Sequence, residues 1–296
     1  MKTLTALIQR NTRLFFKDKG MFFTSLITPA ILLLLYSTFL GKVYKDSFSL
    51  MAPAGFSFPG KLTDGFVAGE ILSSILAVSC VTVAFCSNML MVQDRSSQTI
   101  NDLLISPVKR SVLAVSYYIS SLISTLIICF TAACLCLFYV YIKGWYMSFS
   151  DVIAVFADSF LLVMFGTALS SIINFFLTTQ GQMQAAGTIV SSGYGFICGA
   201  YMPVSGFSEG LQKIISFLPG TYGTSLLRNH ALAGTFREMK KLNLPDEVIT
   251  SIKENTDCIP LFYDHSVNTC EMYVILGATI IILVILYVFM NILKKQ

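Results

Sequence analysis

The sequence predicts an all-α membrane protein with six transmembrane helices, an N-terminal interfacial helix, a short cytoplasmic helix and a helical extracellular segment before the last span. Three observations predict it. The 296 residues are 55% hydrophobic and 12% charged, whereas soluble domains are about 45–50% apolar and about 25% charged. Residues 159–208 contain no Asp, Glu, Lys or Arg. Six stretches, roughly 21–40, 66–92, 112–142, 152–178, 183–203 and 272–293, reach the ~20 mostly apolar residues that cross a bilayer core. A net charge of +4 without a clustered basic face argues against nucleic acid as a partner.

Residues 1–20 form the interfacial helix. Leu4, Leu7, Ile8, Leu14 and Phe15 share one helical face while Lys2, Arg10, Arg13 and Lys17 lie mostly elsewhere, the pattern of a helix lying on the inner leaflet. An ordinary basic flank that only sets topology is the plain alternative. The first apolar run begins at Met21 with no small-residue cleavage site behind it, so it reads as a retained anchor. Spans one to five occupy 21–203, and the polar turn Thr178 to Gln182 predicts that spans four and five are antiparallel neighbours.

Orientation follows from Lys and Arg in the short loops. The side holding the termini carries Lys2, Arg10, Arg13, Lys17, Lys19, Arg95, Lys109, Arg110, Lys294 and Lys295, and the other side only Lys42, Lys45, Lys61 and Lys143. Both termini are therefore expected in the cytoplasm of a cell-membrane protein.

Residues 204–271 read as a folded extracellular cap. Phe207, Leu211, Ile214, Ile215 and Leu218 make an amphipathic stretch, helical patterning runs from Arg228 to Lys241, and Pro245 with Asp246 and Glu247 marks another helix start. The last span and a cytoplasmic tail fill 272–296, and the whole of 1–296 reads as one transmembrane domain.

Of the eight cysteines, Cys258 and Cys270 fall in the cap, where an oxidising compartment makes them disulfide candidates, two free thiols being the alternative. Asp264, His265 and Cys270 lack the spacing of a metal site, so no metal is expected. Two acids lie inside spans, Glu70 and Asp158. Ionisable groups there are costly and turn inward or reach the headgroups, so both are candidates for a polar path; for Asp158 the other option is a buried hydrogen bond that holds the fold. In the fifth span Gly187, Ser191, Gly195 and Gly199 recur every four residues, a small-residue stripe suited to a path-lining or subunit-interface helix, or to a close internal crossing.

The richest cytoplasmic segment is Asp94, Arg95, Ser96, Ser97, Gln98, Thr99, Ile100, Asn101, Asp102, Leu103, Leu104, Ile105, Ser106, Pro107, Val108, Lys109, Arg110. It resembles the loop of ABC type-2 exporter permeases, in which an acid-Arg pair precedes Gly-Thr-Leu-Glu, a variable residue, two apolar residues, a Ser-Pro and a basic residue. Gln98 stands in the Gly place and Asn101 in the Glu place. A second likeness lies in Gly199 to Pro203 and in the run Leu218, Pro219, Gly220, Thr221, Tyr222, where Gly220 replaces a Leu.

The resemblance implies that residues 94–110 form a coupling helix seated in a separate ABC ATPase subunit. Leu103 and Leu104 would be apolar knobs, Asp94, Arg95, Asp102 and Arg110 would pair at the rim, and Thr99 and Pro107 would complete the motif. It also implies a homodimer or a heterodimer with a related permease, and second and fifth spans that line the path. The chain itself would then be no enzyme and carry no cofactor, ATP and Mg being bound by the partner. The near phosphate loop Gly55 to Lys61 ends on Leu62, where Ser or Thr is required. The expected function is outward movement of an amphiphilic small molecule, lipid or peptide. A non-transporting scaffold or sensor that docks an ATPase is the rival reading. An intramembrane acyltransferase is weaker, because neither His230 nor His265 lies in a predicted span.

Overall fold

The structure is a computed structural model of the 296-residue chain. It describes residues 2–51, 53, 57–105, 108–263 and 265–293, with the side chain of Leu104 excepted. Ser106, Pro107 and Asp264, all singled out above, lie outside the described residues. The chain is 84% helical, so the all-α expectation holds.

Among the described residues five helical stretches are long and apolar enough to cross a membrane: Lys19–Leu50, Gly60–Ser96, Arg110–Lys143, Phe149–Phe176 and Thr269–Leu293. In order, α1 is Lys2–Lys17, α2 Lys19–Leu35, α3 Gly41–Leu50, α4 Gly60–Ser87, α5 Met89–Ser96, α6 Thr99–Ile105, α7 Arg110–Lys143 and α8 Phe149–Phe176. The remainder are α9 Gln180–Ile197, α10 Glu209–Ile215, α11 Pro219–Lys241, α12 Asp246–Asn255, a two-residue hairpin Leu261–Phe262 with His265–Ser266, and α13 Thr269–Leu293.

The first span is longer than its apolar run. A π turn, Tyr36–Leu40, joins α2 to α3 without a break. Such a turn adds about one residue to the helical repeat, so Tyr36 and Tyr44 come onto one face, and both hydroxyls donate to the Ala200 carbonyl at 3.3 Å. Lys42 and Lys45 hid this extension from a hydropathy reading; Lys45 is paired with Asp64 at 2.9 Å.

The fifth expected span differs most. α9 has only 18 residues and is not among the five apolar helices, because Gln180, Gln182, Gln184 and its glycines and serines dilute its hydropathy. It packs mainly on α4 and α5 rather than on α8, so the antiparallel-neighbour expectation is corrected. The capping boxes that open α8 at Ser148 and α9 at Thr179 fix each start independently, and the faces of α8 are taken by α4, α7, α11 and α13.

At the centre stands α4, whose most apolar window is 89% buried, against 22% for the first span and for α13. Close crossings make this possible. A Cβ on Gly166 of α8 would lie 2.9 Å from the Cys80 carbonyl, so only glycine lets α8 approach α4 there. Where α4 gives way to α5, Asn88 gathers three helices. Its amide donates to Ser170 at 3.0 Å and Ser171 at 2.7 Å, its side-chain oxygen accepts from Ser121 at 3.2 Å, and its carbonyl accepts from Asn174 at 3.3 Å. Such interhelical bonds hold bundles together where lipid gives no hydrophobic drive.

The helices define two ends: a coupling end with α6 and the start of α7, and a cap end with α10 to α12 and the hairpin. The segment read as a folded cap is largely helical, carrying α10 to α12, but α11 is no peripheral element. It packs into the bundle against α4, α8 and α13, and a second small core of Phe48, Phe66, Leu232, Phe236, Ile249 and Cys258 lies beside it. Cys258 and Cys270 are both free thiols, which corrects the disulfide candidate. Cys258 is spent in that core with Thr256 on its sulfur at 3.4 Å, while Cys270 is exposed at the start of α13.

Candidate coupling and translocation site

At the coupling end, α5 delivers Asp94 and Arg95 and a tight turn delivers α6. Asp94 is 5% exposed. It receives both terminal nitrogens of Arg10 from α1, at 2.8 and 3.2 Å, and the Tyr117 hydroxyl from α7 at 2.5 Å. Arg10 and the buried Leu7, Asn11 and Phe15 seat α1 on α7. Arg95 turns the other way. It donates to the carbonyls of Asn174, Phe175 and Leu177 at 3.0, 2.8 and 3.3 Å and lies over the Phe175 ring at 5.5 Å, satisfying the last carbonyls of α8, which a helix end leaves without intrahelical partners. The acid-Arg pair is thus consumed inside the chain, not at a rim.

Gln98 occupies the left-handed region, with φ of 62°, where glycine sits without steric cost. That explains why this place suits Gly. The second departure compensates: Asn101 donates its amide to Gln98 Oε1 at 2.6 Å, so the two residues that break the motif are bonded to each other. Thr99 opens α6, its hydroxyl 2.9 Å from that of Ser97.

Of the expected knobs, Leu103 is only partly buried and packs on the chain's own core, and the side chain of Leu104 lies outside the described residues. The residue that stands out is Ile105, 84% exposed at the end of α6, with Asp102 exposed one turn before it and Arg110 half-buried beyond. Sequence reading passed over Ile105 because an apolar residue beside two leucines carries no separate signal; its exposure singles it out.

Behind this segment a cleft of about 780 Å³ opens between α2, α4, α5 and α9. Polar Gln93, Gln180, Gln184, Ser191 and Ser192 share its wall with Met21, Met89 and Met183. Gly187 and Ser191 of the stripe line it, whereas Gly195 and Gly199 serve the helix end. A Cβ on Gly195 would fall 2.3 Å from the Tyr201 ring, and Gly199 turns the chain with φ of 74°. The stripe therefore splits into a cleft half and a packing half.

At the cap end both span acids face inward and are paired. Asp158 accepts from the Tyr273 hydroxyl of α13 at 2.6 Å and lies 2.6 Å from Nδ1 of His230 on α11, buried bonds that tie α8 to two other helices. Glu70 faces Arg228, whose Nε is 3.3 Å from Glu70 Oε2. Arg228 is fully buried and donates also to Asp257 at 3.1 Å, Thr256 at 3.2 Å and Gly199 at 2.6 Å. Glu70 is itself buried, its carboxyl turned towards Arg228. Sequence reading placed Arg228, His230 and Asp257 in a folded extracellular cap and gave none of them a partner in the bundle.

A family model described as ABC-2 type transporter matches residues 2–231. The chain belongs to that family. The ABC-2 match spans α1, the α5–α6 turn, α9 and α11 as far as Arg228 and His230, so the chain is a multi-pass transmembrane permease component, not itself catalytic, of a family that normally pairs with an ABC ATPase. No curated protein is similar to this ABC-2 permease component.

Proposed function

We propose that this chain is the permease subunit of an ATP-driven exporter, working as a dimer of two copies or with a related permease, on a separate ABC ATPase that binds ATP and Mg. The observation that carries the reading is Ile105. It is an isoleucine left 84% exposed at the end of a short helix whose Ile100 and Leu103 pack on the chain's own core. The same segment carries the exposed Asp102 and the half-buried Arg110, charges of both signs that a partner surface could meet. Asp94 and Arg95 act as positioning residues that tie the segment to α1, α7 and α8. A push on α6 is delivered to the bundle rather than absorbed by the loop.

In this reading α9 is the fifth of six spans, at about 27 Å for its 18 residues close to the core thickness, and both termini lie on the ATPase side of the cell membrane, with 1–296 one domain. Its polarity suits a helix that lines a path rather than lipid. The cleft beside it mixes amides, hydroxyls and adaptable methionines, which suits an amphiphilic small molecule, lipid or peptide. Movement is outward, from the coupling end to the cap end.

The test is Ile105→Glu in cells and in the complex purified in mild detergent. It is expected to lower transport and permease-stimulated ATP hydrolysis by about tenfold or more, the loss of a well-seated interface residue, with membrane levels unchanged. Export and stimulation at wild-type rates would remove the coupling role. An ATPase that binds Ile105 yet shows no transport would favour the scaffold reading. Leu103 is a poorer probe, because it packs on the chain's own core.

A further inference from the structure

The Arg228 cluster holds unequal charge. Two carboxylates, Glu70 and Asp257, face one guanidinium, and all three side chains are at most 8% exposed. Among the described residues Arg228 is the one cation within ion-pair distance of either acid. The other titratable groups facing Glu70 are Tyr44 from α3 and Cys258 beyond α12, neither of which supplies positive charge. An uncompensated charge in such a place is far costlier than a neutral group, and buried acids that share a site resolve the conflict by keeping a proton.

The two acids are not equivalent. Asp257 Oδ2 accepts from the Val204 backbone at 2.7 Å and from Arg228 at 3.1 Å, contacts that favour the ionised form. Glu70 has none of comparable quality. Its Oε1 is buried with no hydrogen-bond partner among the described residues, and Arg228 Nε, although 3.3 Å from Oε2, is not aligned to donate to it. Asp257 also borders a cleft of about 390 Å³ in the cap, lined by Ser205, Glu209, Gln212, Lys213 and Glu254. The cluster is therefore closed towards the bundle and one residue away from an open polar cavity.

We propose that this cluster is a buried proton-binding site: Glu70 carries one exchangeable proton as a neutral carboxylic acid, Asp257 stays ionised against Arg228, and the proton exchanges with the cap cleft past Asp257. Because Arg228 also holds the Gly199 carbonyl at the turn that ends α9, displacement of that turn would open Glu70 to the cleft, where it releases the proton to water as a carboxylate. That displacement would then exchange a proton with the cap-end side of the membrane. This stands independently of any docking at Ile105.

The test uses the full chain in detergent micelles. Glu70→Gln reproduces a neutral carboxyl in shape and charge, so its thermal unfolding midpoint is expected within about 2 °C of wild type, whereas Asp257→Asn, which takes the charge from Arg228's partner, lowers it by about 6 °C or more. Infrared spectra should show a neutral carboxyl C=O stretch that moves in D₂O and is missing from Glu70→Gln. A fall for Glu70→Gln as large as that for Asp257→Asn, or spectra without that band, would overturn the proposal. So would a wild-type midpoint raised by NaCl over choline chloride and lost in Glu70→Gln, since a sodium ion would then hold the place of the proton.

Discussion

A single backbone angle sets the cost of having Gln rather than Gly at the coupling turn. With φ of 62°, Gln98 carries a left-handed conformation that costs a non-glycine residue about 1 kcal/mol, and the Asn101 amide on its Oε1 offsets part of that. Gln98→Gly should change stability by less than about 1 kcal/mol, the relief being balanced by the lost bond and by glycine's greater chain entropy. Gln98→Val, branched at Cβ, should lose about 1–3 kcal/mol. Asn101→Glu should be tolerated better when combined with Gln98→Gly than when made alone, a non-additivity expected of bonded neighbours. Thermal unfolding of the three single variants and the double variant measures all of it.

Between elements, α8 and α11 are joined by two ionic links, His230 to Asp158 and Arg237 to Asp151, and Tyr273 adds α13 to the first. The Asp158 contact raises the His230 pKa above its ordinary value despite burial, helped by Asp151. A group whose value is raised on folding stabilises fully below its unfolded value, about 6.5 for histidine, and loses that contribution as pH climbs through the higher folded value. The unfolding midpoint of the wild type should therefore fall, as pH rises above about 6.5, more than that of His230→Gln. These links also mark where sequence reading stopped. Apolar runs located α7, α8 and α13 closely, because lipid and core both require long hydrophobic stretches. They could not show that Arg228 of the cap enters the bundle to meet Glu70, a partner far earlier in the chain, since pairing across such distances leaves no local pattern. Nor could they show the inward turn of Asp94, which has the same spelling whether it faces a partner protein or Arg10.

For the molecule as a whole, orientation is the quantity that thiol chemistry can read. Cys270 is exposed at the cap end, while Cys258 is enclosed and its thiol is pushed up to about 12 by burial, so it presents almost no thiolate, the reactive form. A membrane-impermeant thiol reagent applied to intact cells should modify Cys270 and spare Cys258 without prior reduction. Modification of Cys270 only after the membrane is opened would place the cap end in the cytoplasm.

The burial of α4 sets it apart from the helices around it. With 89% of its apolar window enclosed by protein, against 22% for α13, it meets side chains almost everywhere that α13 would meet acyl chains. Lipid tests a residue for oiliness alone, so the outward positions of α13 can exchange Leu, Ile, Val and Phe freely. Protein neighbours test for shape as well. Mutational drift in such a chain should therefore be uneven in kind: alphabet-wide among apolar residues on the rim, and nearly frozen along the central rod, whose sequence is the slow clock of the whole fold.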